Sequence, residues 1–423
     1  MKAAYTLQHN PLVEGIKIIG IGRHGSKPLP EPLLHEIAAY LQFAQEVSAI
    51  QKGAFYGALL AKGPTHTEQE LLLPSNGQTN AFNVVELYDT LCADTPAEMK
   101  ETGVKLLQKQ TLTEAEAEKL GQYLFSALPG EAYRGMAASM LRIRYETDEE
   151  YYGLMKAIEA TYSPGFQEPV ALPGTTVQLA EPFDGVEHSY MLTPLLAQAL
   201  QETGYRVLVN MGTSAGPKLS LNALDLYKGL EGQFLQATKE LQEEAPVFGW
   251  ALDQKDLSPA LDEWVERRRT IFKRPFLATL EKVLNPCRAE ILITSVFHIT
   301  YMQKMIRLAD MAGFNGVIVL KRGLEGTLAP SLAKASGILC AARQQGGTFV
   351  TQTFEADEER FASFRAEADD LVEPLDLETN LALVRQYAQQ GFTTNNNFDK
   401  RVGLAVALFQ AGLKWIQENR QAG

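Results

Sequence analysis

The chain has 423 residues and a formal net charge of −12 at pH 7. This length allows a large buried core and suits two domains, and the ordinary apolar content argues against long disordered segments. The acidic excess argues against broad, non-specific attraction to nucleic acid, but it leaves room for a local basic patch.

The three cysteines, Cys92, Cys287 and Cys340, are scattered and show no metal-ligand spacing. This pattern is typical of free thiols in a reducing compartment. The sequence has no signal segment and no apolar run of about 20 residues. We therefore expect a cytoplasmic protein without a membrane-spanning segment.

The N-terminal residues 1–29 are predicted to be irregular and basic. Their pattern Gly20-Ile-Gly-Arg-His-Gly25 fits a dinucleotide-binding fingerprint, which requires a helix to begin at once after the glycines. Two prolines follow instead, Pro28 and Pro30. A flexible loop carrying Arg23, His24 and Lys27 is the favoured interpretation.

Residues 30–170 are predicted to form a helical domain, and two of its parts resemble each other at an offset of 82 residues. The corresponding positions are Gly53 and Gly135, Lys62 and Arg144, Thr65 and Thr147, and Glu68 and Glu150. Each part is a helix rich in small residues, followed by a threonine and a glutamate that suit a helix start. The alternatives are an internal duplication and two generic helical hairpins of similar composition.

Residues 171–423 are predicted to form an α/β domain, because strand and helix patterns alternate from residue 174 onward. The expected strands are 176–180, 205–211, 289–296, 316–321 and 347–354. The expected helices are 192–202, 221–230, 300–312, 356–366, 377–390 and 398–418. Such alternation predicts a largely parallel sheet, which binds ligands at the carboxyl ends of its strands.

Four segments occur in an order that can be compared with known families. They are Arg269 to Phe272, Leu284-Asn-Pro286, the strand 289–296, and Gly323-Leu-Glu-Gly326. This order resembles glycosyl transferase family 3, the anthranilate phosphoribosyltransferase family, over roughly residues 110–420. The similarity is greatest to degenerate paralogues of the tryptophan-pathway enzyme. The resemblance implies a nucleoside phosphorylase-like α/β fold, a helical domain that forms a homodimer contact, and binding of phosphoribosyl pyrophosphate (PRPP) with Mg²⁺.

The ligand-binding motifs of that family are altered in this chain. Where the family wraps pyrophosphate with a glycine-rich Gly-Thr-Gly-Gly-Asp turn, this chain has Glu181-Pro-Phe-Asp-Gly-Val-Glu187, with Asp184 and Gly185 as candidate phosphate-binding residues. Two carboxylates there would repel pyrophosphate unless a metal intervenes. Asp184 and Glu187 are either metal ligands or solvated loop acids.

After the second strand, the family's Lys-His-Gly-Asn is also missing. Asn210, Gly212, Thr213 and Ser214 stand in its place. Small residues and turn amides can still bind an anion, without the cation. Lys218, a few residues on, is a partial substitute.

The family's Asp-Glu magnesium pair is reduced to Glu325-Gly326. Magnesium usually binds through one or two carboxylates together with substrate phosphates. Glu325, weakly supported by Asp184, is therefore the candidate metal ligand.

Arg269 matches the family arginine that meets the aromatic acid substrate, and its guanidinium suits a carboxylate or phosphate. With Arg267, Arg268, Lys273 and Arg274 it forms the densest basic segment of the chain. We expect this basic patch beside the ligand cleft, where it either binds an anion or is an ordinary solvated face.

The leading hypothesis is a transferase-fold protein that binds a phosphorylated ligand and does not act on anthranilate. Whether it is an enzyme is left open by these motifs, and His188 and His298 are the remaining candidates for acid–base groups. One alternative is a non-catalytic nucleic-acid binder that uses the basic patch against backbone phosphates. Another is a ligand-sensing scaffold with an inactive site.

Overall fold

The protein is described here by a computed structural model that covers residues 10–22, 25–73, 82–172, 174–216, 220–272, 275–333, 336–366 and 371–421. Its tertiary contacts divide into two units. A helical unit comprises residues 1–158 and 263–277, and an α/β unit comprises residues 159–262 and 278–423.

The first part of the chain is helical. Its helices are α1 (Pro11–Ile19), α2 (Glu31–Phe43), α3 (Ala49–Lys62), α4 (His66–Leu72), α5 (Val84–Leu91), α6 (Lys100–Leu107), α7 (Glu114–Leu124), α8 (Glu131–Arg144) and α9 (Asp148–Glu159). Helices α2 to α9 lie within residues 30–170, where the sequence predicts helices. Helix α1 lies before this segment.

Helix α1 corrects the expectation of an irregular segment before residue 30. The Asn10 side chain accepts hydrogen bonds from the first free N–H groups, and Pro11 occupies the first helical position, where its missing N–H costs nothing. Leu12 and Ile16 are fully buried on one face of the helix. The glycines at 20 and 22 thus follow a helix and not a strand, which removes the context that a dinucleotide-binding fingerprint needs. Arg23 and His24 of this loop lie outside the described residues.

The α/β unit contains one mixed sheet. Within the described residues its strands are β1 (Thr176–Ala180), β2 (Arg206–Met211), β3 (Trp250–Asp253), β4 (Ile291–Val296), β5 (Gly316–Lys321), β6 (Gly337–Arg343) and β7 (Phe349–Glu355). They lie in the order β3-β2-β1-β4-β5-β6-β7. The first five run parallel, and β6 and β7 pair antiparallel at one side.

The remaining helices lie between these strands or after them along the chain. They are α10 (Thr193–Glu202), α11 (Ala223–Gly229), α12 (Gln254–Leu257), α13 (Pro259–Asp262), α14 (Trp264–Ile271), α15 (Leu277–Val283), α16 (Met302–Met311), α17 (Leu377–Gln390) and α18 (Asn396–Gln421). Helix α18 packs tightly on the sheet, because a Cβ at Gly412 would lie only 2.8 Å from Ile318 and from the Cys340 sulfur. No helix of the described segments is long and apolar enough to span a membrane.

The predicted α/β class with a helical N-terminal domain is confirmed, and the strand order explains where a site must lie. Strands β1 and β4 are neighbours in the sheet but far apart in the chain. The chain leaves β1 toward β2 and leaves β4 toward β5, so the two connections diverge at the boundary between β1 and β4. Ligands of parallel sheets bind in the crevice at such a switch point. The two strands that the sequence did not predict are β3 and β6, neither of which borders it.

Helix α14 belongs to the helical unit, although sequence reasoning placed its residues in a continuous domain 171–423. The Trp264 indole Nε1 donates to the Leu124 carbonyl oxygen at 3.1 Å, and the Gln51 Nε2 donates to the Thr270 carbonyl oxygen at 3.0 Å. Burial of the large Trp264 side chain, which is inaccessible to solvent, holds this segment among the helices.

The start of α4 is organised around one buried carboxylate. Thr65 and Glu68 form a reciprocal capping box, in which each side chain accepts from the other residue's backbone N–H. The same carboxylate pairs with Lys62 Nζ at 2.7 Å and accepts from the Leu29 N–H at 2.9 Å. Glu68 thereby ties the end of α3, the start of α4 and the segment before α2 together.

The start of α9 has the same arrangement. Glu150 accepts from the Thr147 N–H at 2.8 Å, and the Glu150 N–H donates to Thr147 Oγ1 at 3.2 Å. Its carboxylate pairs with Arg144 at 2.5 Å and accepts from the Leu112 N–H at 2.9 Å. Each bond of the first network therefore has a counterpart in the second.

Candidate functional site

The predicted phosphate-binding residues of the α/β unit come together at the carboxyl edge of the sheet. Strands β1 and β2 are paired in parallel register, so the loops that leave them, beginning at residues 181 and 212, start side by side. Strands β4 and β5 are paired in the same direction and place residues 297 and 322 at that edge too. The loops after β1 and β5 contact each other at this edge.

The loop after β1 holds a pair of backbone N–H groups that converge on one carboxylate oxygen. Glu325 Oε2 accepts from the Glu187 N–H at 2.7 Å and from the His188 N–H at 2.9 Å. Turn amides that point at one position are a common anion-binding arrangement. In this chain a carboxylate from the loop after β5 occupies that position.

Two further polar links join the same loops. The hydroxyls of Ser189 and Thr327 are 2.8 Å apart, and both side chains are buried. The Glu181 carboxylate accepts from the Leu328 N–H at 3.1 Å and from the Thr193 hydroxyl at 2.6 Å. The loop after β5 is thus fixed to the loop after β1 at three successive places.

Glu181 is a functional candidate that sequence reasoning did not single out. Burial raises the pKa of its carboxyl to about 7, against the lowering effect of the bonds from Thr193 and Leu328 and of the Lys282 charge. A glutamate directly after a fully buried strand was the available signal, since such a side chain starts inside the core.

The loop after β5 contains unusual backbone conformations that aim the Glu325 side chain. Glu325 has φ 51° and ψ 19°, which lies in the left-handed region that a side chain other than glycine rarely adopts. At Gly323 a Cβ would lie 1.9 Å from the Thr327 carbonyl oxygen, so only glycine fits this tight turn.

The predicted residues of the β1 loop have mainly structural contacts. Gly185 has φ 75°, which explains why glycine stands there. The Asp184 carbonyl oxygen accepts from Ser214 Oγ at 2.9 Å, and the Asp184 side chain is buried. Ser214 therefore braces the loop after β1 from the loop after β2.

The other predicted residues, at the end of β2 and in the loop after it, also have structural contacts. Asn210 is buried, and its Nδ2 donates to the Glu281 carbonyl oxygen at 2.6 Å. A Cβ on Gly212 would lie 2.8 Å from the Phe183 ring, so this glycine allows close packing. Thr213 is half-buried beside them. Lys218, the expected substitute cation, lies outside the described residues.

The histidines and the exposed aromatic residue at this edge border solvent. His188 Nδ1 lies 2.8 Å from the Val372 carbonyl oxygen. Phe297 and His298, directly after β4, are exposed, and their rings meet edge to face with centroids 5.0 Å apart. These groups flank the loops that carry Glu181 and Glu325.

The two candidate magnesium ligands of this edge, Glu325 and Asp184, both have contacts within the protein. Glu325 directs Oε2 to two N–H groups, and Asp184 is buried against the neighbouring loop. Among the described residues, no group of three or more His, Cys, Asp and Glu side chains could hold a metal ion. The thiols offer no nucleophile either, because burial raises the pKa of Cys92 and Cys287 to about 12 and that of Cys340 further.

The three described arginines of the basic patch do not share one surface. Arg268 is buried, with a relative exposure of 2%. Arg267 pairs with Glu131 at 3.0 Å and packs over the Trp264 ring, and Arg269 pairs with Glu266. Successive residues of a helix point in different directions, so three consecutive arginines cannot share a face. Lys273 and Arg274 lie outside the described residues.

Comparison with solved structures decides the type of fold. Anthranilate phosphoribosyltransferase from Thermus thermophilus superposes with a TM-score of 0.58 at 19% identity, covering 74% of this chain and 89% of that one. The chain has an anthranilate phosphoribosyltransferase-like fold. The enzyme from Saccharomyces cerevisiae gives a TM-score of 0.55 at 12% identity, over 76% of this chain and 90% of that one. Its complex with PRPP and Mg gives 0.53 at 12% identity, over 77% and 98%.

Sequence comparison adds little about activity. An uncharacterised protein of Aquifex aeolicus (strain VF5) is 25% identical over 221 residues, which is 52% of this chain and 65% of that protein. This chain therefore matches less than two thirds of that relative's length. No protein-family model matches the chain.

Proposed function

We propose that this protein uses its anthranilate phosphoribosyltransferase-like scaffold to bind a phosphate-bearing small molecule at the carboxyl edge of the sheet. The observation that carries the proposal is the pair of N–H groups of Glu187 and His188, which converge on one anionic oxygen. A phosphate oxygen carries the same kind of charge and accepts the same two hydrogen bonds. The ligand's phosphate replaces the Glu325 carboxylate at this position.

The proposal excludes anthranilate as an acceptor and needs no metal. The glycine-rich pyrophosphate turn, the Lys-His pair and one acidic residue of the magnesium pair are replaced in this sequence. No group of three or more His, Cys, Asp and Glu side chains among the described residues could hold a metal, so a bound Mg²⁺ would need the ligand's phosphates as well. Although one structural neighbour is a complex with PRPP and Mg, magnesium enters here only as a variable of the experiment. A cytoplasmic location, expected from the sequence, completes the proposal.

Isothermal titration of the full-length protein tests it. PRPP and inorganic pyrophosphate should both bind saturably, and ribose, which lacks a phosphate, should not. Omitting magnesium should leave the binding of pyrophosphate in place. Absence of binding for both phosphorylated compounds, with and without magnesium, would contradict the proposal and favour an inactive scaffold.

Nucleic-acid binding is not favoured by any described contact. The described arginines of the basic patch are either buried or paired with glutamates of the same helical unit. An already neutralised guanidinium releases few counterions from a phosphate backbone. The homodimer expected through the helical domain is not part of this proposal either, because helix α8 packs against α3 of the same chain.

A further inference from the structure

Helices α3 and α8 are packed more closely than side chains normally permit. A Cβ built on Gly53 would lie 1.8 Å from the Ala132 carbonyl oxygen, and one built on Gly135 would lie 2.0 Å from the Ile50 carbonyl oxygen. Only glycine at both positions lets the two backbones touch.

These contacts are reciprocal under the offset of 82 residues. Gly53 corresponds to Gly135, and Ile50 corresponds to Ala132. Residue i of the first helix thus contacts residue j of the second, and residue i of the second contacts residue j of the first. Reciprocity of this kind is the mark of an interface with twofold symmetry.

The contact extends along both helices in the same direction. One turn after Gly53, a Cβ on Gly57 would lie 2.6 Å from the Met136 carbonyl oxygen, and Met136 is one turn after Ala132. Helices α3 and α8 therefore run parallel about a local twofold axis. Each has 14 residues, and each leads into a threonine-capped helix whose buried glutamate makes the same four contacts.

We propose that the helical unit is a symmetric dimer contained in one chain. Residues 29–73 and 111–155 are two copies of one helical module, and the α3–α8 contact is the interface between them. A twofold interface is closed, because each copy uses its contact face on the other. The small-residue face of α8 is thus covered by the chain's own α3, and the chain needs no second subunit there.

The first consequence concerns mass. Sedimentation velocity on the full-length chain should give the monomer mass of 46.7 kDa at every micromolar concentration tested. A stable dimer in which the helical modules are exchanged between chains would overturn the proposal.

The second consequence concerns the equivalence of the two copies, and it distinguishes symmetry from a chance close approach. Alanine normally favours a helix over glycine. The clash with a facing carbonyl should nevertheless make Gly53→Ala and Gly135→Ala each lower the melting temperature, by roughly 5 °C or more. Gly346→Ala is the matched control, because nothing lies within 4 Å of its Cβ position.

The outcomes separate clearly. Similar losses for the two helix variants, with the control near the wild type, support a symmetric pair. Tolerance of alanine at one of the two positions and not at the other would contradict it. If either variant fails to fold, the mass of the wild-type chain still decides whether the pair is closed within one molecule.

Discussion

Replacing Glu325 with glutamine is the most direct test of the anion position at the sheet edge. Glutamine keeps the size and an acceptor oxygen but removes the negative charge. The two bonds from the Glu187 and His188 N–H groups then change from charge-assisted to neutral. A bound phosphate must displace the side chain at position 325 from the two N–H groups. Because glutamine binds these groups more weakly than glutamate does, its displacement should cost less free energy, and the phosphate should bind more tightly.

The magnitude follows from the two bonds. A hydrogen bond to a charged group contributes about 1.5–3 kcal/mol, and one between neutral groups contributes about 0.5–1.5 kcal/mol. Two such changes weaken the internal contact by roughly 2 kcal/mol, which corresponds to about a 30-fold lower dissociation constant for pyrophosphate if the closed form dominates.

The assay is isothermal titration of pyrophosphate into wild type, Glu325→Gln and a control, at one ionic strength. Glu240→Gln is a suitable control, since Glu240 also accepts from a backbone N–H, that of Gln236, at 3.2 Å. Its neighbour Leu241 contacts Arg206, at the amino end of β2, so the control lies toward the opposite edge of the sheet. Equal affinities for wild type and Glu325→Gln would refute the displacement argument.

Three further outcomes are expected. Glu181→Gln should flatten the pH dependence of the free energy of unfolding, measured by urea denaturation. The pKa of Glu181 in the folded protein, about 7, exceeds the ordinary value of 4.5. The contribution of this carboxyl to the free energy of unfolding is therefore full at low pH and falls by about 3 kcal/mol as the pH rises from 4.5 through 7. An unchanged difference between variant and wild type from pH 4.5 to 8 would contradict this. Arg267→Gln and Arg269→Gln should give the same fluorescence anisotropy as wild type when titrated against labelled single-stranded DNA, because both charges are already paired. DNA binding by the wild type that the two variants lose would restore the nucleic-acid hypothesis. Finally, no phosphoribosyl anthranilate should form. The pyrophosphate turn, the Lys-His pair and one magnesium carboxylate are altered, and losses of about 3 kcal/mol each would lower the rate by roughly six orders of magnitude. Rescue of a tryptophan auxotroph that lacks anthranilate phosphoribosyltransferase would disprove this prediction.

The sequence predicted the central strands well because their environment is simple. Strands β1 and β4 are buried along their whole length, and apart from Gln178 and Ser295 they consist of β-branched and aliphatic residues, as is typical of parallel strands covered on both faces. Strand β3 has four residues, too few for a period to show. Strand β6 begins with glycine and contains cysteine and two alanines, which have weak strand preferences.

The basic patch was predictable in part. The run Arg267 to Arg269 lies on a helix, and a rotation of about 100° per residue already separates its side chains. The burial of Arg268 required knowledge of which face packs against other helices. Helix α14 belongs to the helical unit although it comes after strand β3 in the chain. Its position depends on Trp264, which donates a hydrogen bond to Leu124, 140 residues away in the chain. Pairings at such distances follow from the whole fold and not from local pattern.

The assignment of Glu325 shows why motif resemblance and structure give different chemistry to one residue. By resemblance it is the remaining half of a magnesium pair. In the structure it has a left-handed backbone conformation, which costs about 1–2 kcal/mol for a residue other than glycine. Its hydrogen bonds to two N–H groups 137 and 138 residues away offset that cost. The backbone conformation of Glu325 and its two hydrogen bonds thus act together: the strained turn directs the carboxylate to the amide pair, and the amide pair stabilises the turn.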